Sequence, residues 1–276
     1  MKQSLELKHY LRRIGYDGSP KVDYETLRAV HQLQNDAITY ENLDVQLGRP
    51  VGRAIAPIFD KIVTKGRGGW CYEQNELLGW ALSEIGFRVT QHAGGVTRDI
   101  NGQASVGNHL VLIVDLDQRY LADCGFGDGI IEPLPLAVGQ YAQRGLGFAL
   151  SKTADGWWRF HNHAHGAAAN FDFREEIADQ ALLDRKCHEL QTDPQSGFVL
   201  NAVCQRYQPD AHYTLRGRVL KTLRGGVFEQ RLLSDLDAYE ETLRTIFALR
   251  VAETDRLWPK IVARHEALFP RSVQSP

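Results

Sequence analysis

The stretch Arg67-Gly68-Gly69-Trp70-Cys71-Tyr72-Glu73-Gln74-Asn75 decides how this chain is read. Two adjacent glycines permit a tight backbone turn. Beyond them Leu77, Leu78, Ala81, Leu82 and Ile85 fall on one stripe at helical spacing, and Gly86 follows as a helix-ending glycine. Cys71 therefore sits in the first turn of an amphipathic helix. A helix N-terminus favours negative charge, so a thiol there is expected to have a lowered pKa and to act as a nucleophile.

Upstream the pattern stays helical. Leu7, Leu11 and Ile14 recur at i, i+4 and i+7 and stop at Gly15. Asp23 reads as the N-cap of a helix carrying Leu27, Val30 and Leu33. Ile38 to Pro57 is expected to be irregular, broken by Gly48, Pro50, Gly52 and Pro57. Downstream, from Phe87, the period changes to that of strands. A third section after Pro209 predicts a hairpin of Tyr213–Leu223 with Val227–Leu233 around Gly225-Gly226. Two closing helices follow, one with Tyr239, Leu243, Ile246 and Phe247 inward and one around Trp258 to Phe269. Helices first, then strands, then a mixed cap predict an α+β chain with segregated layers.

A nucleophilic cysteine needs a base, and the base needs an orienting group. His109-Leu-Val-Leu-Ile-Val-Asp115 and Arg119-Tyr-Leu-Ala-Asp123 flank a short polar turn, the pattern of a hairpin. With residues 116–118 as the turn, Asp115 faces Arg119, Val111 faces Asp123 and His109 faces Gly125. His109 and Asp123 then share a sheet face as diagonal neighbours, about 7–8 Å apart at the backbone and within side-chain reach. A slip of one residue would put them on opposite faces.

Other motifs carry less. The glycines of Gly125-Phe126-Gly127-Asp128-Gly129 leave room for a ligand, but the loop lacks the lysine and the strand-to-helix setting of a P-loop. His161, His163 and His165 could share one face of a strand, but with no fourth zinc ligand they read as an exposed strand face or a loop, and no metal is expected. Cys71, Cys124, Cys187 and Cys204 form no CxxC pair, which points away from a structural zinc site and a disulfide scaffold. Lys+Arg 32 against Asp+Glu 34 gives a formal charge of −2 and no electrostatic case for nucleic acid or an anionic membrane. The longest aliphatic run, Leu110 to Val114, is far short of the ~18 residues a spanning helix needs. With no apolar signal segment at the start, a cytoplasmic, reduced protein is expected.

Beyond these patterns, the Arg67–Asn75 block resembles the active-site signature of the arylamine N-acetyltransferases, RGGFCYELN. Tyr10 to Tyr16, Tyr40-Glu-Asn-Leu-Asp44, Val96-Thr-Arg-Asp99, Asn108-His-Leu110, Asp123-Cys-Gly-Phe-Gly127 and Leu190 to Phe198 look like further family motifs in the family's order. The likeness runs over residues ~10 to ~250, essentially the whole chain. Three positions depart from the pattern: Trp70 stands for Phe, Gln74 for Leu, and Cys124 where a small aliphatic residue is common.

The resemblance implies a Cys71-His109-Asp123 triad. It also implies a helical bundle (residues 1–86), a central β-barrel (87–200) and a C-terminal α/β lid (201–276), around a core like that of cysteine proteases and transglutaminases. Acetyl-CoA would be the donor, arylamines, arylhydrazines or arylhydroxylamines the acceptors, the reaction ping-pong and the role xenobiotic metabolism. Tyr72 and Phe126 are expected to wall the acceptor pocket and the Cys71 backbone N–H to hold the oxyanion. Val96–Gly107 and the lid are candidates for the CoA site, with Arg98 for its phosphates. Two alternatives use the same three residues: a macrolactam-forming amide synthase and a cysteine hydrolase.

Overall fold

The computed structural model describes residues 5–269. It is α+β, with helices first, two antiparallel sheets and two further helices at the C-terminal end. The helices open as the spacing predicts. Leu7–Ile14 ends on Gly15 at φ 76°, and Tyr24–Ala37 is capped by Asp23, whose carboxylate accepts from the Thr26 N–H at 2.8 Å. Cys71–Ile85 ends on Gly86 at φ 112°. These glycines close the helices in a left-handed conformation that side chains disfavour. Tyr10, Leu27, Val30, Leu78 and Leu82 form one apolar core with Trp70 and Tyr72.

Among the described residues thirteen strands follow in order: β1 (Tyr40–Glu41), β2 (Arg88–Val96), β3 (Val106–Asp115), β4 (Arg119–Ala122), β5 (Leu134–Pro135), β6 (Gly139–Gln143), β7 (Leu146–Lys152), β8 (Trp158–His161), β9 (Asn170–Phe173), β10 (Val203–Gln208), β11 (Ala211–Arg216), β12 (Val219–Arg224) and β13 (Val227–Leu232). Eight of them form one sheet in the order β5-β4-β3-β2-β9-β8-β7-β6. It rolls up until its edges almost meet, and the Tyr141 hydroxyl of β6 donates to the Pro135 carbonyl of β5 at 3.2 Å. Strand β3 is buried on both faces, which explains its unbroken aliphatic run. Leu110, Leu112 and Val114 pack on the helices, whereas Val111 and Ile113 face a second core of Phe148, Phe160, Phe171 and Phe173 inside the roll.

The β3–β4 register is the one expected, with Asp115 opposite Arg119, Val114 opposite Tyr120 and Leu112 opposite Ala122. His109 and Asp123 thus fall on the side of Val111 and Leu121, the inner face. The other sheet, β1-β10-β11-β12-β13, packs on the helices Leu236–Thr245 and Thr254–Leu268 around Leu215, Leu220, Tyr239, Leu243 and Phe247.

Several expectations need correction. Residues 38–57 are more regular than their glycines and prolines suggest, holding β1 and the helices Leu43–Gln46 and Ile55–Phe59. Pro57 lies near the start of its helix, where a missing N–H costs least. Tyr213–Leu223 is not one strand: Gly217 at φ 58° turns it into β11 and β12, so the predicted hairpin is the second half of a meander. Ile246 lies past the end of its helix and is half-buried, unlike Phe247. The three histidines do not share a strand face: His161 ends β8, and His163 and His165 lie in the loop beyond it.

Candidate active site

The turn before Cys71 is held by buried charge. The Arg67 guanidinium bonds Glu41 at 2.7 Å and reaches Asp44 at 3.3 Å, while Lys61 bonds Asp44 at 3.0 Å and Glu73 at 2.8 Å. Burial alone would raise the Asp44 pKa, but Lys61 and Arg67 beside it hold the carboxyl down at about 2. Gly68 is required by contact, because a Cβ there would overlap the Thr39 carbonyl oxygen. Gln74, one departure from the family pattern, lies in a buried polar chain behind the cysteine. Tyr10 donates to Gln34 at 2.6 Å, Gln34 to Gln74 at 3.2 Å, and Gln74 to the Thr39 carbonyl at 3.1 Å.

His109 and Asp123 meet. The ring Nε2–H donates to Asp123 Oδ2 at 2.6 Å, with both side chains almost wholly buried. The other carboxylate oxygen, Oδ1, accepts from Asn75 Nδ2 at 2.8 Å and from the Gly125 N–H at 2.8 Å. The Asp123 backbone N–H in turn donates to His31 Nε2 at 2.9 Å. That bond fixes His31 as the Nδ1–H tautomer, donating to the Ile131 carbonyl at 2.8 Å, and burial lowers its pKa to about 4, so it stays neutral. Asn75 also donates to the Leu110 carbonyl at 2.6 Å and accepts from the Cys124 N–H at 2.9 Å. One amide thereby ties the Cys71 helix to both strands of the hairpin.

Sequence reasoning missed His31 and passed over Asn75. The second had a readable signal, since Asn75 lies one turn after Cys71 on the same helix face. His31 had none: its partner is 92 residues away.

Cys71, His109, Gly125, Phe126 and Asp128 line one cavity of about 380 Å³, with Tyr40, Val96 and Phe198 among its apolar walls. With Nε2 committed to the carboxylate, Nδ1 is the ring atom left for a proton on the cavity side. Phe126 stacks edge-on to His109 at 5.5 Å and lines the cavity. Tyr72 does not line it: its hydroxyl bonds the Gly107 carbonyl. Trp70, another departure, is fully buried and meets Phe198 edge-on at 5.0 Å. Cys124 is buried with its thiol on the His31 carbonyl at 3.5 Å, away from the cavity lining.

The lowered thiol pKa expected at the helix start is not what the site shows. Cys71 is 3% exposed, and burial pushes its thiol well up. The nearby Cys187 sulfur adds to this, and the Tyr72 backbone N–H only partly opposes it. Arg98, expected at phosphates, instead pairs with Asp155 and with Asp172 at 3.2 Å and stacks on Trp157 at 4.1 Å. No group of three or more metal-ligating side chains occurs among the described residues, and no described helix is long and apolar enough to cross a membrane.

Residues 23–256 match a family model described as N-acetyltransferase. The chain is 36% identical to an arylamine N-acetyltransferase of Mycolicibacterium smegmatis, over 82% of its own length and 85% of the relative's. It is 32% identical to the pineal gland isozyme of Gallus gallus, over 88% and 93%. A solved arylamine N-acetyltransferase of Mycobacterium marinum superimposes with a TM-score of 0.86 at 32% identity, covering 93% of this chain and 98% of that one. The same enzyme solved in complex with CoA gives 0.85 at 31% identity and the same coverage. These relatives favour neither the amide synthase nor the hydrolase. With its α+β fold and its cysteine and histidine in one cavity, the chain belongs to the arylamine N-acetyltransferase family.

Proposed function

We propose that this acetyl-CoA-dependent arylamine N-acetyltransferase works by ping-pong transfer through Cys71, with His109 as base and Asp123 as its orienting group. The observation that carries this is the 2.6 Å His109–Asp123 bond, made by a ring that lines the same cavity as the thiol. A lone thiolate is disfavoured where burial raises the thiol pKa, so the proton passes to His109 Nδ1 as the sulfur attacks. The resulting imidazolium sits against a carboxylate already held by Asn75 and Gly125, which stabilises the charge.

The sulfur adds to the acetyl carbonyl of acetyl-CoA. The tetrahedral oxyanion forms beside the first N–H groups of the Cys71 helix, which lack intrahelical partners. Collapse breaks the bond to CoA sulfur, which leaves with the proton from His109. An arylamine then attacks the acetyl-Cys71 carbonyl, His109 takes its N–H proton, and the Cys71 sulfur leaves with that proton returned from His109 as the amide forms. Arylamines suit the step because they are mostly unprotonated near neutral pH, and Tyr40, Phe126 and Phe198 offer ring faces in the cavity.

In three units, residues 1–86 carry the cysteine, 87–200 the histidine and aspartate, and 201–276 the lid. Four buried free cysteines suit a reducing cytoplasm. Mass spectrometry after mixing with acetyl-CoA alone tests the reading, with one acetyl group expected on the Cys71 peptide and none in Cys71→Ala. Full acetylation of an arylhydrazine by Cys71→Ala would overturn it.

A further inference from the structure

Strand β13 ends the five-stranded sheet, and among the described residues it pairs with β12 alone. Every residue of it is exposed, Val227, Phe228 and Leu232 by 64%, 47% and 53%. A bare edge of this kind is a template for another strand, and natural edges are blunted by lysines, proline or a bulge. β13 has no lysine, no proline and no register shift against β12. Its two charges, Glu229 and Arg231, are of opposite sign and stand two residues apart on one face of the strand. Among the described residues neither forms an ion pair.

The hairpin fixes which backbone groups are free. In an antiparallel pair every second residue directs both its N–H and its C=O at the neighbouring strand. The Leu233 N–H donates to the Arg218 carbonyl at 2.8 Å, which continues the register of Leu232 opposite Val219 and Arg231 opposite Leu220. Leu233, Arg231, Glu229 and Val227 therefore direct their backbone at β12, whereas Leu232, Gln230 and Phe228 direct theirs away from the sheet.

We propose that β13 pairs with β13 of a second copy of this chain, antiparallel about a two-fold axis at Gln230. Gln230 then faces the partner's Gln230, and Phe228 faces the partner's Leu232, each outward pair closing reciprocal N–H to carbonyl bonds. Between them Glu229 stands opposite the partner's Arg231, at the positions of the ladder where side chains come closest. Charge selects this register. Outward residues can face only outward residues, so the nearest alternatives slide the pairing by two. One sets Glu229 against the partner's Glu229, and the other sets Arg231 against the partner's Arg231. The axis at Gln230 alone among the three joins opposite charges, twice over by symmetry, and packs Phe228 on a leucine in both copies. Two five-stranded sheets become one continuous sheet across the axis. The contact is small, so the dimer is weak and forms as concentration rises.

Sedimentation velocity over low to high micromolar protein tests this. The unsubstituted chain moves from the mass of one chain toward that of two. Glu229→Arg sets arginines against each other and raises the concentration needed for dimer about tenfold or more. The exchange Glu229→Arg, Arg231→Glu restores it to within about threefold, because the opposite charges meet again. Gln230→Pro removes an outward N–H from each copy, leaves the ladder with β12 intact and also weakens the dimer. Melting midpoints at the dilute end show that each variant is folded. A chain that stays monomeric throughout overturns the proposal. So does a dimer that survives both Glu229→Arg and Gln230→Pro, or one lost in Glu229→Arg that the exchange does not restore.

Discussion

Asp123 is the residue on which most of the site converges. It accepts from His109, Asn75 and the Gly125 N–H and donates its own N–H to His31. Asp123→Asn keeps the size but can no longer hold the ring as the Nε2–H donor beside a negative charge. A fall in kcat of about three to four orders of magnitude is expected, measured by single-turnover acetylation of Cys71, with little change in melting temperature. Asn75→Ala removes the amide and strands the Leu110 carbonyl and Cys124 N–H without their partner. It should cost about 1–3 kcal/mol of stability in denaturant unfolding and slow acetylation as well. Acetylation at the original rate in Asn75→Ala would show that Asp123 needs no second anchor.

At the scale of elements, the site depends on two close approaches. The 123–129 loop passes directly over the start of the Cys71 helix, where a Cβ on Gly125 would lie 2.6 Å from the Cys71 carbonyl oxygen and 2.8 Å from the Asn75 amide nitrogen. Gly125→Ala should therefore push the loop off the helix and lower kcat more than it raises KM, checked by steady-state kinetics with acetyl-CoA. The other approach joins β1 to the turn before Cys71, through the Glu41 N–H on the Gly69 carbonyl at 3.0 Å and the Glu41–Arg67 pair. Arg67→Met leaves Glu41, fully buried, with less compensation. A loss of about 3–5 kcal/mol is expected, read from thermal or denaturant unfolding. A stability unchanged within error would mean that Lys61, 3.9 Å from Glu41, suffices alone.

At the scale of the whole molecule, buried histidines set a response to acid. Burial lowers His31 and His163 to about 4 and His212 to about 3, all below the ordinary value near 6.5. The unfolded chain takes up these protons before the folded one does. Stability is thus fully present above pH 6.5 and is lost as pH falls from there toward 4, at about 1.4 kcal/mol per pH unit for each fully shifted group. This histidine contribution lowers denaturant midpoints between pH 7 and 5, against the opposite contribution of Glu73 and Asp128, whose carboxyls burial raises to about 7 and about 6. His212 packs against Tyr207 at 4.5 Å between ring centroids, and its Nε2 is buried without a hydrogen-bond partner. His212→Phe should make the midpoint less sensitive to pH, and an undiminished sensitivity would assign the effect elsewhere.

The sequence by itself determined whatever rests on neighbours along the chain. The glycine-closed helices, the N-cap at Asp23 and the Cys71 helix start all follow from spacing, and so does the β3–β4 register that puts His109 and Asp123 on one face, because period and turn length are local properties. The resemblance to arylamine N-acetyltransferases was also legible, since its motifs are contiguous. Tertiary structure decided what depends on distant partners: His31 beneath Asp123, Arg98 held by Asp155 and Asp172, and the raised thiol pKa of Cys71. The same holds for the bare edge of β13: the strand is legible from its hairpin, but its place at the end of a sheet follows from how β10 to β13 lie side by side. Burial and charge balance are sums over everything within a few ångströms, and which residues those are is settled only when the chain has folded.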